Sequence, residues 1–392
     1  MPEKLPRSIW VLGLTSMFMD ISSELVHSLL PIYMSSVLGA SMLTIGILEG
    51  IAEATASITK VLSGFLSDYW NARKPLALFG YGLSAITKPI FPLASSIGWV
   101  ATARFADRIG KGIRGAPRDA LITDITPPSL RGAAFGLRQS LDSIGAFVGP
   151  LLAIAFMILM QGDLRSVLWI AALPAFISVA ILFTGVEDPA RTAGSDTPPI
   201  HFRDAKKFGW HFWWTVAVGS LLTLARFSEA FLVLRAQGTG IATTYVPLVM
   251  LSMSAVYMLV AYPAGAASDR VSPQKLLLAG LGALIAADVV LARASGIAMV
   301  LLGAAVWGLH MGLTQGLLSK LVADAAPTEL RGTAFGIFNL FTGVAALLAS
   351  LIAGALWNWY GPSATFLASA AFASVAALGL VSRPWTRFDT LK

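Results

Sequence analysis

About twelve stretches of this sequence read as candidates to cross a bilayer, the second, fourth and tenth on their flanking turns as well as on hydropathy, and no other feature constrains the fold as tightly. A crossing helix needs about 20 largely apolar residues. The stretches lie near 8–34, 43–66, 75–95, 97–124, 131–160, 164–186, 210–236, 241–267, 275–293, 296–323, 330–358 and 362–382. In lipid every backbone N–H and C=O must be satisfied within its own segment, so such stretches fold as helices. Composition agrees: 56% of residues are hydrophobic and only 12% charged, where soluble domains carry roughly 25% charge. This excludes a soluble enzyme, a nucleic-acid binder and a disordered chain. The absence of cysteine excludes disulfides, thiolate metal sites and cysteine nucleophiles. The first stretch is too long for a cleavable signal peptide, and no small-residue cleavage site follows it.

Residues 187–209 are rich in proline and charge and have no apolar periodicity. They read as a linker, which divides the chain into a first six-helix bundle at 1–186 and a second at 210–392. Basic residues fix the expected orientation. Lys4, Arg7, Arg73, Lys74, Arg131, Arg191, Arg203, Lys206, Lys207, Arg270, Lys275, Arg331, Arg383, Arg387 and Lys392 all fall on one side if there are twelve spans. The positive-inside rule then places both termini in the cytoplasm, with a bacterial inner or plasma membrane as the expected location.

The two halves repeat. Gly64-Phe-Leu-Ser-Asp68 returns as Gly265-Ala-Ala-Ser-Asp269, and the run from Asp124 to Gly136 returns from Asp324 to Gly336. Both matches recur at nearly one offset, about 200 residues. Duplication around a central linker is the pattern of a transporter whose substrate cavity lies between the repeats near the midplane. Gly64 permits close helix approach, because small residues drive packing in lipid. Asp68, at a helix end, can accept hydrogen bonds from a neighbouring helix terminus or pair with Arg73. With Lys74, and with the second copy at Gly265, Asp269 and Arg270, it forms a candidate gate. Gly145, Gly149 and Pro150 would let the fifth helix bend and pack closely.

Ionisable residues at membrane depth cost several kcal/mol and are functional candidates by default. Asp20, Glu24 and His27 follow i, i+4, i+7 spacing and share one face of the first span. Glu49, Glu53 and Lys60 do the same on the second. The fourth span carries Arg104, Asp107, Arg108, Lys111, Arg114, Arg118 and Asp119. Arg138–Asp142 (i, i+4), Arg226–Glu229 (i, i+3) and His310 complete the set. The first two spans thus offer carboxylates and an imidazole, and the fourth and fifth mostly cations. Close packing would pair them and offset part of the desolvation cost. The expectation is a substrate and proton site at Asp20, Glu24, His27, Glu49, Glu53, Arg108, Arg138, Asp142, Arg226, Glu229 and His310. Asp20, Glu24 and His27 could ligate a divalent metal such as Ni²⁺, Co²⁺ or Zn²⁺. A basic cavity around Arg108, Arg138 and Arg226 would instead favour an anionic organic molecule.

The motifs point to a family. Gly64-x-x-x-Asp68-x-x-x-x-Arg73-Lys74 resembles the loop between helices two and three of the major facilitator superfamily, and Gly265-x-x-x-Asp269-Arg270 its copy between helices eight and nine. Arg108-x-x-Lys111-Gly112 resembles the helix-four motif, and Gly145-x-x-x-Gly149-Pro150 the antiporter motif of exporters. The runs Met19–His27 and Asp107–Leu121 are similar to the nickel/cobalt-resistance exporter branch. The resemblance implies an all-α fold of twelve transmembrane helices in two pseudo-symmetric six-helix bundles. It also implies proton-coupled efflux by alternating access, the substrate being a divalent metal or, alternatively, a drug, siderophore or metal chelate. No enzymatic activity, resident cofactor, nucleic-acid partner or obligate oligomer is expected; the partners are lipid, protons and the transported molecule.

Overall fold

The computed structural model describes residues 5–69, 73–187, 208–267, 271–327 and 330–382. The described residues form helices α1 (Arg7–Ile32), α2 (Met42–Tyr69), α3 (Arg73–Thr87), α4 (Ile90–Leu93), α5 (Ile97–Ile125), α6 (Arg131–Leu159), α7 (Leu164–Ile170), α8 (Ala172–Gly185), α9 (Trp210–Ala225), α10 (Ala230–Gln237), α11 (Leu248–Ala267), α12 (Pro273–Ala292), α13 (Ile297–Ala325), α14 (Arg331–Tyr360) and α15 (Pro362–Ser382). Among them eleven segments have the length and apolarity of a membrane span. The exception is α5, as long as its neighbours but carrying five charges between Arg104 and Arg114. Four of the five are buried against neighbouring helices instead of meeting lipid: Arg104, Asp107, Arg108 and Arg114 are each at most 4% exposed, while Lys111 is exposed. With α5 included, the order is the twelve-span order read from the sequence, and the chain is a multi-pass integral membrane protein.

Three spans are assembled from two helices. Lys88 and Pro89 interrupt the third between α3 and α4, because proline removes a donor and restricts the residue before it. Ala171 interrupts the sixth between α7 and α8. The seventh breaks over Arg226-Phe-Ser-Glu229, between α9 and α10. The i, i+3 spacing of Arg226 and Glu229 belongs to one continuous span in the sequence reading; both lie instead in its interruption. Outside the membrane segments, Asp163 caps α7. Its carboxylate accepts from the Arg165 N–H at 3.1 Å and the Ser166 hydroxyl at 2.5 Å. The Ser166 bond foremost holds that carboxyl below its ordinary range.

Helix packing repeats with the sequence. In the first half α1 packs on α6, α2 on α5, α3 on α5 and α3 on α8; in the second, α9 packs on α14, α11 on α13, α12 on α13 and α12 on α15. Each pair recurs six spans later. Two seams across the halves are related in the same way, α2 with α14 and α6 with α11, and α1 also meets α10. Glycines line the first seam. A Cβ on Gly46 would lie 3.0 Å from the Gly354 Cα, and one on Gly50 would lie 2.9 Å from the Leu347 carbonyl oxygen. Any larger side chain would wedge the helices apart.

Candidate substrate cavity

The seams leave two adjoining chambers between the halves, of ≈ 240 and ≈ 230 Å³. They share Glu53, Thr223, Arg226, Gln315 and Ala346. The first is bounded by Glu24, His27, Arg108, Lys111 and Glu229. The second reaches Ser57, His310, Leu318 and Phe338, closer to the helix ends on the side of the inter-half linker. Exposed Lys60 and Lys111 continue in that direction. On the opposite side the halves are tied together. Ser35 donates to Gln237 at 3.2 Å, and Gln237 donates to Ser36 at 2.5 Å. The cavity is therefore sealed on the far side and continues toward the linker side.

One carboxylate oxygen links the two halves behind the His27 and Ser228 wall of the first chamber. Glu49 is 1% exposed, and its Oε2 accepts from the Arg104 guanidinium at 2.7 Å and from the Ser228 hydroxyl at 3.2 Å. Arg104 belongs to the first half and Ser228 to the break in the seventh span. The His27 Nε2 lies 3.9 Å from the same oxygen, and its Nδ1 lies 3.7 Å from Glu24. His27 thus stands between two carboxylates. The remaining oxygen of Glu49 and the Nε of Arg104 are buried without partners. A buried pair with such unsatisfied atoms repays its desolvation only in part.

The other cavity charges fall into two groups. Arg108 pairs with Glu53 at 3.5 Å, and Arg138 with Asp142 at 2.7 Å. Lys111, Arg226, Glu229 and Asp20 enter no ion pair among the described residues. The first chamber consequently presents an unpaired ammonium and an unpaired guanidinium opposite the carboxylates of Glu24 and Glu229. Among the described residues no three His, Asp or Glu side chains converge to hold a metal ion. Glu24 and His27 adjoin, while Asp20 faces α6 one turn away. His310 is buried, and its Nδ1 is engaged by the Gly280 carbonyl at 2.8 Å, a helix-to-helix contact at the edge of the second chamber.

The glycines of the fifth span sit directly against the acidic face of α1. A Cβ on Gly145 would lie 2.9 Å from that of Asp20, and one on Gly149 would lie 2.8 Å from that of Glu24. Pro150 follows inside α6. Gly64 faces Ala116 of α5 at 3.3 Å, a close approach as expected. Arg73 pairs with Asp124 and donates to the Ala120 carbonyl at 2.8 Å, tying α3 to the end of α5. Lys74 donates to the Phe183 carbonyl at 3.0 Å. The Asp68 side chain, Asp269 and Arg270 lie outside the described residues.

Three polar positions escaped the sequence reading of the site. Lys88, at the break in the third span, is 1% exposed and pairs with Asp107 at 2.9 Å. Ser228 carries the bond across the halves. Asp288, a lone acid in an apolar helix, is fully buried. For Lys88 and Asp288 the signal was present, since each is a single ionisable residue in an otherwise apolar span. Ser228 gave none, because a hydroxyl in a membrane helix is commonplace.

Sealed on one side, charged at its centre and bounded by duplicated helix pairs, this cavity is that of a membrane transporter. The chain matches the Major Facilitator Superfamily over residues 12–235 and 230–388, and it belongs to that family. Its fold and family are those of transporters and not of enzymes. It is 31% identical to the uncharacterized MFS-type transporter MJ1317 of Methanocaldococcus jannaschii, over 97% of this chain and 95% of the relative. It is 24% identical to the inner membrane transport protein YajR of Escherichia coli, over 94% of this chain and 81% of the relative. Among solved structures, a bacterial homologue of the human lysosomal transporter Spinster superposes with a TM-score of 0.76 at 16% identity, covering 96% and 97% of the two chains. The resemblance to the nickel/cobalt branch gains no support from these relatives.

Proposed function

We propose that this protein is a proton-coupled exporter of a small organic molecule bearing an anionic group. The observation that carries this reading is the pair of uncommitted cations, Lys111 and Arg226, in the first chamber. Arg108 and Arg138 are taken up by Glu53 and Asp142. A bare divalent cation entering this chamber would meet an ammonium and a guanidinium and no converging ligand set. An anion would gain two charge-assisted hydrogen bonds, and Arg226 could bind a carboxylate or phosphate through two parallel N–H donors. Any amino group on the substrate would be received by Glu24 or Glu229.

Proton coupling is assigned to His27, Glu24 and Glu49. The His27 imidazole stands between the Glu24 and Glu49 carboxylates, where a proton can be passed from one group to the next. A proton on it would draw Glu49 away from Ser228, and so loosen the far-side seal. The cytoplasmic termini expected from the basic loops make the cavity inward-facing here. The antiporter-like Gly145-x-x-x-Gly149-Pro150 supports the export direction.

The test uses protein reconstituted in vesicles holding a pH-sensitive dye. A panel of small carboxylates, organic phosphates and zwitterions is added, and Ni²⁺, Co²⁺ and Zn²⁺ in parallel. The expected result is saturable proton movement with one organic class, abolished by Arg226→Met, and none with the metals. Metal-driven proton movement surviving Arg226→Met would overturn the organic substrate and restore the cation.

A further inference from the structure

Outside the cavity, the second half contains a carboxyl group whose protonation state follows from counting hydrogens. Asp288 of α12 is fully buried, and its Oδ2 lies 2.5 Å from the Ser369 hydroxyl of α15. The same hydroxyl lies 2.5 Å from the carbonyl oxygen of Ala225. A serine hydroxyl has one proton to give. A carbonyl can only accept, so that proton goes to Ala225. Asp288 must then donate to Ser369, which an ionised carboxylate cannot do. The chain of donation runs Asp288 O–H to Ser369 O–H to Ala225 O=C.

The surroundings agree. On α13 the packing register is fixed by Gly280 against Thr314 and Gly303 against Leu291, which brings Trp307 level with Asp288. Trp307 is fully buried, and its indole N–H and the Asp288 Oδ1 both lack partners. His310, the α13 titratable group one turn from Trp307, is engaged by the Gly280 carbonyl. From α15 the facing group is Ser369, and from α9 it is the Ala225 carbonyl. No described cation pairs with Asp288, and an isolated buried carboxylate without one is strongly disfavoured.

Ala225 is the last residue of α9. Helix ends leave carbonyls unsatisfied, and this one lies where the seventh span breaks. Beyond it stand Arg226, Ser228 and Glu229. We infer that Asp288 is held neutral and acts, through Ser369, as a positioning residue that caps the broken end of α9. It thereby sets where Arg226 and Ser228 enter the cavity. This extends the cavity description and does not depend on which substrate is carried.

The experiment compares wild type, Asp288→Asn, Asp288→Ala and Ser369→Ala in lipid nanodiscs, with two readouts. Infrared difference spectroscopy tests for a protonated-carboxyl stretch that persists from mildly acid to mildly alkaline buffer. That band should be present in wild type and absent in Asp288→Asn. Spin labels on cysteines placed at Val37 and Ala242, in a chain with no native cysteine, report the far-side separation. Asparagine can still donate to Ser369, so Asp288→Asn should keep the wild-type distance distribution, whereas Asp288→Ala and Ser369→Ala should broaden it. A carboxyl band that bleaches in neutral buffer would overturn the inference. So would a Ser369→Ala distribution identical to wild type, a variant small enough to keep the test open if Asp288→Ala does not fold.

Discussion

The buried Arg104–Glu49 pair makes a quantitative prediction. Both side chains are nearly inaccessible, at 3% and 1% exposure, and the Nη2–Oε2 distance is 2.7 Å. Arg104→Met removes the cation and leaves Glu49 with only the Ser228 hydroxyl and a more distant imidazole. Removing one member of a buried pair costs about 3–5 kcal/mol, because the other charge is left uncompensated. The surviving Ser228 bond puts the expected loss at the lower end, about 3 kcal/mol, which is roughly a hundredfold in the folding equilibrium. Replacing both residues, as Glu49→Met with Arg104→Met, removes the stranded charge as well. The unpartnered Glu49 Oε1 and Arg104 Nε show that the native pair is itself imperfectly satisfied. The double variant should therefore come within about 1 kcal/mol of wild type. The assay is SDS-titrated unfolding in mixed micelles, followed by the fluorescence of the 11 tryptophans. A single variant as stable as wild type, or a double variant no better than the single, would refute the reasoning. The double variant should also be inert in transport despite its stability, since it lacks the oxygen that Ser228 reaches.

Gly46→Leu should hold the far side open, because its side chain must displace the backbone of α14 at Gly354; the Val37–Ala242 spin-label distance would lengthen, and an unchanged distance would count against the seam. Gly149→Leu should separate α6 from α1 beside Glu24 and cost about 1–3 kcal/mol of overpacking, read in the same micelle titration. Asp163→Ala should lower thermal stability slightly in neutral buffer. The folded carboxyl titrates below its ordinary value, so its contribution is present above the unfolded pKa and disappears as pH falls through the folded one. Wild type and variant should therefore converge in acid, and a difference that persists there would show that the cap acts by something other than its charge.

The fold was readable because lipid imposes a simple rule: each apolar stretch must satisfy its own backbone. Even α5 was found, although its charges defeat a hydropathy window, because turns flank it on both sides. Pairing within the site was less legible. Arg138–Asp142 follows from helical spacing, and the cluster of Glu24, His27 and Glu49 is half visible as a polar face of α1. That Arg104 and not Arg108 holds Glu49 depends on the rotation of α5 against α2, which local sequence does not encode. The interruption over residues 226–229 contains neither proline nor glycine. It is sustained by distant partners such as Ser369, so no local signal could announce it.

The oxygen shared by Arg104 and Ser228 sets what it costs the halves to part. Ser228 must release Glu49 before the halves can part there, whereas Arg104, on the same half as Glu49, keeps its bond to the anion. His27, also on that half, lies 3.9 Å from the same oxygen and can take the vacated place with a single N–H. The cost of parting is thereby met within the first half, and the anion need never stand bare.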